Sequence, residues 1–381
     1  MRILYILKHN PWGIGGGCYA CRNYLEAFDE VFKGDELEVL VCTEYLAHSL
    51  TDKFPEIHFV GVNERQLVSK LLSSVTGEMH RFQSVVTRLL KANQYDLCIF
   101  DHNCVAGSLV KLCKRRGVKT IVLNHNCEFE YYRDNHPSVL HRMLLLPVVK
   151  RNERQAYQLC DYNIFLTKED KELFAQFYGA SDTTKVVGGC FMRKGEQLDT
   201  NALKPFNERR LKAVISGTIG NVQNLDGINY FLNELYPCVP KDMDVVIAGK
   251  NPPAELIERL KRFGNIELIA NPKDMDAVLR DCDIYLCPTR LGGGMKLRVM
   301  DGLRNGLPVI AHKVSARGYS AFYEAGYLET FKDKEDFEKI LIKLIEDIKS
   351  SRINKEDIVA CTMKKLSFES AIVNLESIKI L

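Results

Sequence analysis

A chain of 381 residues exceeds the size at which one hydrophobic core keeps growing, roughly 250 to 300 residues, so two domains are expected. Its net charge of +3 and pI of about 8.1 exclude a dedicated nucleic-acid-binding protein, whose domains usually exceed a pI of about 9. The start, "MRILYILKHNPWG", does not read as a secretion signal, and no apolar run approaches the ~20 residues of a membrane span, which predicts a cytoplasmic protein.

Strand-like and helix-like segments alternate along the chain. Strands are predicted at "RILYILK", "ELEVLVC", "YDLCIF", "VKTIVLN" and "YNIFLT", with helices around 17–32, 64–93, 104–116 and 137–160. After a polar stretch at 183–210 the alternation begins again, with strands predicted at "LKAVIS", "DVVIAG", "NIELIA", "DIYLC" and "LPVIA". Helices are predicted from about 333 onward. This alternation predicts an α/β fold of two doubly wound parallel-sheet domains.

The thirteen cysteines suggest reduced core thiols, because their number is odd and many lie in apolar runs. Cys18 and Cys21 have C-x-x-C spacing, but a zinc site would want a second such pair, which the sequence lacks. Core packing is therefore favoured, and no metal site is predicted.

Six polar or glycine-rich segments follow predicted strands, where doubly wound domains bind ligands. They are "KHNPWGIGGGCYACRNY", "FDHNC", "LNHNCEFEYY", "SGTIGNVQN", "AGKNPP" and "PTRLGGGMK". A ligand cleft between the two domains is the expected consequence.

The glycines at 292–294 precede a predicted helix, whose free N–H groups and dipole attract an anion such as a diphosphate. Asp301 lies about 10 Å further along a helix that rises ~1.5 Å per residue, near the span from a diphosphate to the ribose hydroxyls of a nucleotide. The alternative is a tight turn followed by a solvated helix. The predicted donor-site residues of this half are Gly217, Thr218, Asn221, Gly249, Lys250, Gly293, Gly294, Met295, Lys296, Leu297 and Asp301.

In the first half, His125 follows a strand, with Asn126 and Glu128 beside it, and is a candidate for contact with a substrate. A structural hydrogen bond is the alternative role. Asp101 is interpreted as a cap of the following helix, and His102 as a poorer candidate. Gly16 and Gly17 either let a sugar diphosphate or acceptor approach the first helix or form a tight turn; these alternatives stay open.

Three segments resemble the donor site of retaining GT-B glycosyltransferases similar to glycosyltransferase family four. They are "SGTIGNVQNLDGINYFLNELYP", "VVIAGKNPP" and "IYLCPTRLGGGMKLRVMDGLRNGLPVIAHKVSARGY". The resemblance implies two Rossmann-like domains facing each other across a cleft. Residues 1–190 would bind the acceptor, completed by a helix at about 355–381, and residues 191–354 would bind a nucleotide sugar. Asp301 matches the second acid of the family's Glu-x7-Glu pattern, whereas Gly293 replaces the first and Thr218 replaces an Arg.

The resemblance further implies transfer of a sugar with retention, in the assembly of a cell-surface polysaccharide or glycoconjugate. Charge on the leaving diphosphate would be met by Lys250, Lys296 and Arg298 with backbone amides, and His125 and Glu128 would act at the sugar. No D-x-D motif follows a strand, so no obligatory metal or other cofactor is expected beside the nucleotide-sugar co-substrate.

The acceptor is expected to be a sugar, a lipid-linked sugar or another hydroxyl compound. Segments 64–93 and 133–160 mix apolar and basic residues, which fits either docking on the inner face of the cell membrane or ordinary surface helices. Two other enzyme classes stay open: a sugar-nucleotide epimerase or hydrolase, and an NAD-dependent oxidoreductase using "GIGGGC". In the second case Cys18 replaces the third glycine, and Glu44 lies beyond the usual ~20-residue offset.

Overall fold

The computed structural model describes residues 1–13, 16–42, 52–62, 80–135, 139–186, 188, 192–196, 198–207 and 210–377. They form two units, each with its own sheet: unit 1 is Met1–Lys194 with Phe368–Leu381, and unit 2 is Gly195–Ser367. The predicted α/β class with two doubly wound domains is confirmed. Glu44 and the first part of the helix predicted at 64–93 lie outside the described residues.

Unit 1 is built on a seven-stranded parallel sheet with the strand order β3-β2-β1-β4-β5-β6-β7. The strands are β1 Arg2–Leu7, β2 Glu36–Cys42, β3 His58–Val62, β4 Leu97–Asp101, β5 Lys119–Asn124, β6 Tyr162–Phe165 and β7 Thr184–Val186. The helices up to residue 178 are α1 Gly16–Val31, α2 His80–Ala92, α3 Asn103–Arg115, α4 Glu128–Asn135, α5 Val139–Leu159 and α6 Lys168–Tyr178. Successive residues of β1 point to opposite faces, so Ile3 and Tyr5 join one core cluster and Leu4 and Ile6 the other.

Unit 2 repeats this plan with six parallel strands in the order β10-β9-β8-β11-β12-β13. The strands are β8 Lys212–Thr218, β9 Asp244–Lys250, β10 Ile266–Ala270, β11 Ile284–Cys287, β12 Val309–His312 and β13 Leu328–Phe331. The helices are α7 Val222–Tyr230, α8 Ala254–Leu260, α9 Met275–Arg280, α10 Leu297–Arg304, α11 Ser320–Glu324, α12 Lys334–Lys349 and α13 Lys355–Leu366. A π-helical turn, Phe231–Leu235, and a 3₁₀ turn, Tyr236–Cys238, extend α7, and a second 3₁₀ turn covers Thr200–Ala202.

The chain returns to unit 1 later than the expected residue 355. Helix α13 belongs to unit 2, where it packs on α10 and Lys355 Nζ donates a hydrogen bond to the Cys282 carbonyl at 2.7 Å. The last helix, α14 Phe368–Glu376, packs on α1 and buries Phe368 and Leu375 in the core of unit 1. The return therefore begins with α14, because α13 is anchored to unit 2 by its first residue.

Among the described residues, no helix has both the length and the apolarity that a bilayer crossing requires. The described cysteines are all free thiols, and most of them are buried, in agreement with the interpretation of the sequence.

Candidate functional site

The strand order creates a topological switch point in each unit. β1 lies between β2 and β4, and β8 lies between β9 and β11. In such sheets ligands bind beyond the carboxyl ends of the strands that flank this point. The residues that follow β1 and β4 in unit 1, and β8 and β11 in unit 2, are therefore the candidates, together with the ends of the adjoining strands.

Gly217 and Gly249 allow β8 and β9 to approach closely at the carboxyl edge of the unit 2 sheet. They are opposite each other in the parallel pairing, and Gly217 has a φ of 138°. A Cβ on Gly249 would lie 1.7 Å from the Gly217 carbonyl oxygen, and a Cβ on Gly217 would lie 2.9 Å from Cδ of Arg298. The backbone itself requires both glycines, and the Arg298 side chain passes directly over Gly217.

The loop between β11 and α10 forms the glycine-rich turn predicted to bind a diphosphate. Gly292 and Gly294 have φ values of 87° and 65°, in the left-handed region that favours glycine, and Gly293 lies between them. Helix α10 begins at Leu297, and the side chain of its N-cap residue makes no capping hydrogen bond. This turn therefore presents backbone N–H groups that can donate hydrogen bonds to phosphate oxygens.

Lys296, the N-cap of α10, is held against this glycine turn. Its side chain is buried, and Nζ donates to Oε1 of Gln223 and to the carbonyl of Gly293, both at 3.3 Å. Its own carbonyl accepts a hydrogen bond from the Tyr319 hydroxyl at 2.9 Å. Met295, beside it, is half-buried. Lys296 thus fixes the loop and adds positive charge to it.

Thr218, Asn221 and Lys250 lie at the ends of β8 and β9. Thr218 and Lys250 are exposed and opposite each other in the strand pairing. Asn221 is the N-cap of α7, and its Oδ1 accepts a hydrogen bond from the backbone N–H of Gln223 at 2.9 Å. Asn221 therefore has a local capping role, and its contact with a nucleotide stays a prediction.

Asp301 lies in the middle of α10, beside a cation and two other acids. Its Oδ1 is 3.3 Å from Nε of Arg304, which also pairs with Asp276 and Glu196. Although 35% of the Asp301 side chain is exposed, desolvation by the surrounding protein raises its pKa to about 6, with Asp276 and Glu196 adding to the effect and Arg304 opposing it. The structure thus makes Asp301 part of a charged network, which is different from an isolated solvated carboxylate.

In unit 1, His125 is paired with a buried carboxylate from the neighbouring strand. Nε2 of His125 lies 2.6 Å from Oδ1 of Asp101, and the two side chains are 9% and 0% exposed. Burial raises the pKa of Asp101, but the nearby His125 outweighs this effect and holds it below the ordinary value. The expectation that Asp101 caps α3 is wrong, because the N-cap is His102, whose Nδ1 accepts from the Cys104 N–H at 3.4 Å.

Glu128 belongs to a second charged cluster, with Lys8 and His102, and is not the partner of His125. Its Oε1 lies 3.1 Å from Nε2 of His102. Burial would raise the pKa of Glu128, but Lys8 and His102 lower it to about 2. Burial and Lys8 would lower the pKa of His102, but Cys104 and Glu128 raise it. This cluster therefore holds an ionised carboxylate beside Lys8 and the His102 ring.

Three histidine rings connect these clusters. The rings of His102 and His125 stack with centroids 5.3 Å apart, and His9 meets His102 edge-on at 5.8 Å. Burial, followed by Lys8 and His102, lowers the pKa of His9 to about 3, so this ring is neutral. Gly17 lies against it, since a Cβ there would be 3.2 Å from Nε2 of His9.

Gly16 is the first residue of α1, so Gly16 and Gly17 both lie in its first turn. The contact of Gly17 with His9 gives it a packing role. Contact of either glycine with a sugar diphosphate stays a prediction.

No pattern in the sequence points to Glu153, which organises the loop after β5. Its Oε1 accepts hydrogen bonds from the Glu128 N–H at 2.7 Å and from Asn103 Nδ2 at 2.8 Å. Its Oε2 accepts from the Tyr178 hydroxyl at 2.5 Å and from the Phe129 N–H at 3.3 Å. Only the fold brings this residue of α5 to the first turn of α4.

Comparisons with known proteins agree with this geometry. Residues 213–347 match the family model of glycosyl transferases group 1, which confirms a resemblance to glycosyltransferases over most of unit 2. A protein of the Klebsiella pneumoniae cps region, described as an uncharacterized 44.6 kDa protein, is 30% identical over 124 residues, or 30% of this chain. That alignment spans about a third of the relative, 32%.

Solved structures match the whole chain. Anabaena HepE in complex with UDP has a TM-score of 0.67 at 14% identity, covering 100% of both chains. Sucrose-phosphate synthase from Thermosynechococcus elongatus has a TM-score of 0.70 at 10% identity, covering 100% of this chain and 98% of that one. The lipopolysaccharide outer core galactosyltransferase WaaB has a TM-score of 0.67 at 13% identity, with 100% of both chains covered.

At these identities the likeness concerns the fold, which is GT-B. The fold and the glycine-rich edge of unit 2 therefore define a GT-B protein. Its second unit carries the sequence pattern of group 1 glycosyl transferases.

Proposed function

We propose that this protein is a retaining glycosyltransferase. It moves a sugar from a nucleoside-diphosphate sugar to an acceptor hydroxyl in the biosynthesis of a cell-surface polysaccharide or glycoconjugate. The observation that carries the proposal is the glycine turn at the start of α10, which lies at the switch point of unit 2 inside the segment matched by the family model. The setting is supported by two neighbours, WaaB and WaaG, whose names place them in lipopolysaccharide synthesis.

Unit 2 is proposed to bind the donor. HepE has been crystallised with UDP and with UDP-glucose, which supports a nucleotide sugar as the ligand of this fold. Here the diphosphate would accept hydrogen bonds from the first turn of α10 and interact with Lys296, Lys250 and Arg298. Arg298 is the cation nearest to Gly217, so it compensates for the family Arg that Thr218 replaces. These groups stabilise the charge that grows on the leaving diphosphate.

Unit 1 is proposed to bind the acceptor. Its His125 would contact hydroxyls of the transferring sugar, and Glu128 would hold the positive charge of Lys8 beside it. A side chain fixed by a buried carboxylate loses little further freedom when substrate binds, which suits a positioning role.

A lipid-linked acceptor and peripheral contact with the inner face of the cell membrane are part of the proposal. Val139, Met143 and Leu144 near the start of α5 are 62%, 70% and 68% exposed. Exposed basic residues follow on the same helix, at Lys150, Arg151 and Arg154. Apolar and basic side chains together favour an anionic lipid surface. Sedimentation with anionic vesicles, compared with neutral ones, tests this part.

The first experiment is a thermal-shift screen with nucleoside diphosphates and their sugars. A ligand at about 100 times its Kd that binds only the folded state adds roughly 2.7 kcal/mol, so UDP or GDP should raise the Tm. Absence of a shift with every nucleoside diphosphate at millimolar concentration would refute the donor site.

Product analysis then decides the reaction. NMR of the product should show the anomeric configuration of the donor, and turnover should require an acceptor. Conversion of the nucleotide sugar without an acceptor would instead identify an epimerase or a hydrolase. We expect turnover to persist in EDTA; loss in EDTA with recovery on adding magnesium or manganese would contradict the metal-independent mechanism.

A further inference from the structure

We propose that Cys21, Asp101 and His125 of unit 1 form a buried binding site for a divalent cation of the zinc class. The Cys21 sulfur, a carboxylate oxygen of Asp101 and a ring nitrogen of His125 all lie within 4.8 Å of one another. Cys21 and Asp101 are 0% exposed, and His125 is 9% exposed. Thiolate, imidazole and carboxylate are the ligands that zinc takes in proteins.

Asp101 provides an independent indication of a missing ligand. Its Oδ1 is paired with His125, and its buried Oδ2 makes no well-formed hydrogen bond within the described part of the chain, although the Tyr5 hydroxyl and the Cys21 thiol lie beside the carboxylate. An unpaired carboxylate oxygen in a protein interior costs free energy, and a cation would satisfy it. The three ligands also come from a helix, a strand end and the loop after a neighbouring strand, so secondary structure holds two of them in place.

The C-x-x-C spacing is not what makes this site. Cys18 packs elsewhere, since its sulfur is 2.6 Å from the position that a Cβ on Gly13 would occupy. Cys21 instead meets ligands contributed by β4 and by the loop after β5. The lack of a second C-x-x-C pair, which favours core packing on sequence grounds, therefore does not argue against this site.

Occupation of the site would change His125. Zinc binds the lone pair of an imidazole nitrogen, so coordination through Nε2 moves the ring proton to Nδ1 and replaces the hydrogen bond between Nε2 and Asp101. The Cys21 thiol releases its proton to solvent on binding, because the ligand is the thiolate. Three protein ligands leave one tetrahedral position for water. If His125 contacts the sugar, as the proposed function holds, zinc inhibits transfer.

Calorimetric titration of the chelator-treated, full-length protein with Zn²⁺ tests the site without requiring activity. We expect one equivalent to bind, and Cys21→Ser to weaken binding by about 100-fold or more, since even an outer-shell partner contributes 10- to 100-fold. Cys18→Ser, on the same helix, is the matched control and should bind as the parent does. Failure of the parent to bind, or equal binding by the two variants, would overturn the proposal.

A measurement on the unsubstituted chain covers the case in which the Cys21 variant fails to fold. Co²⁺ should produce a thiolate-to-metal charge-transfer band in the near ultraviolet. Absence of this band refutes the site.

A separate activity measurement tests the regulatory consequence. Zn²⁺ should inhibit glycosyl transfer by the parent and by Cys18→Ser, and much less by Cys21→Ser. Zinc binding without inhibition would refute the regulation and leave the site intact. If the protein shows no transferase activity at all, the proposed function fails, while the calorimetric result still decides the site.

Discussion

At the residue scale, Asp101 determines which nitrogen of His125 carries a proton. The carboxyl group is ionised at neutral pH because its pKa is below the ordinary value, so it can only accept, and Nε2 of His125 must donate. In a neutral ring, Nδ1 is then left as an acceptor for a substrate hydroxyl.

Asp101→Asn should therefore lower kcat by about 10- to 100-fold, because the amide no longer fixes this orientation. The Kd for UDP should stay unchanged, since Asp101 belongs to unit 1. Steady-state kinetics and calorimetry measure the two quantities. Glu130→Gln, a nearby carboxyl change on α4, is the control. An unchanged kcat would indicate that His125 has only a structural role.

Asp301 is predicted to hold the ribose, so the loss of affinity in Asp301→Asn should depend on whether the ligand contains ribose. Asp301→Asn removes a charge-assisted acceptor worth about 1.5 to 3 kcal/mol, which is roughly 10- to 150-fold in UDP affinity. Pyrophosphate, which lacks ribose, should bind nearly as well as to the parent. The Tm should change little, because Asp301 is partly exposed and beside two other acids. Equal calorimetric affinity of parent and variant for UDP would show that Asp301 serves only the Arg304 network.

The sequence predicted single residues well where the signal was local. The left-handed turn at Gly294 and the start of α10 could be expected, because glycines and a helical pattern stand next to each other. The partner of His125 could not be predicted, because Asp101 ends β4 and His125 follows β5, and only the parallel pairing of these two strands brings the residues together. The same reason explains why Glu153 was missed.

At the element scale, Glu153 holds the first turn of α4, and its ionisation makes the stability of the protein depend on pH. Burial raises its pKa from an ordinary 4.5 to about 7, although the Tyr178 hydroxyl and the N–H groups of Glu128 and Phe129 oppose the shift. A carboxyl group whose native pKa is raised contributes stability that is fully present below 4.5 and is lost as the pH rises through 7.

Glu153→Gln should lower the free energy of unfolding by about 1 to 3 kcal/mol at pH 5, because the amide cannot accept all of these hydrogen bonds. The difference in the free energy of unfolding between variant and parent should be smaller at pH 8, where the parent carries a buried charge. Urea midpoints at the two pH values measure it. Glu172→Gln on α6, where the side chain is 67% exposed, should show no difference at either pH. A difference that widens with pH would contradict this account.

At the scale of the whole molecule, the alternation of strands and helices was enough to predict two doubly wound units. The strand order could not be predicted in this way, because placing β4 next to β1 and β11 next to β8 depends on long-range pairing that no local pattern encodes. The late return to unit 1 was missed for a related reason. Helices α13 and α14 are both amphipathic and adjacent in sequence, and only their partners show that they pack on different units.

The assignment of α14 to unit 1 can be tested by comparing two leucines. Leu375 on α14 is 1% exposed in the unit 1 core, and Leu344 on α12 is 4% exposed in the unit 2 core. Each Leu→Ala change leaves a cavity and should cost about 2 to 5 kcal/mol in the unit that loses the contact. In hydrogen-exchange mass spectrometry, Leu375→Ala should reduce the protection of peptides from α1 and β1, while peptides from β8 and β9 keep theirs.

Leu344→Ala should produce the reverse pattern, so each variant is the control for the other. Because local opening follows the stability of the cooperative unit that contains an amide, the two patterns separate only if α14 is part of the unit 1 core. Loss of protection in β8 and β9 on changing Leu375, or no change in α1, would show that the chain does not return to unit 1 at Phe368.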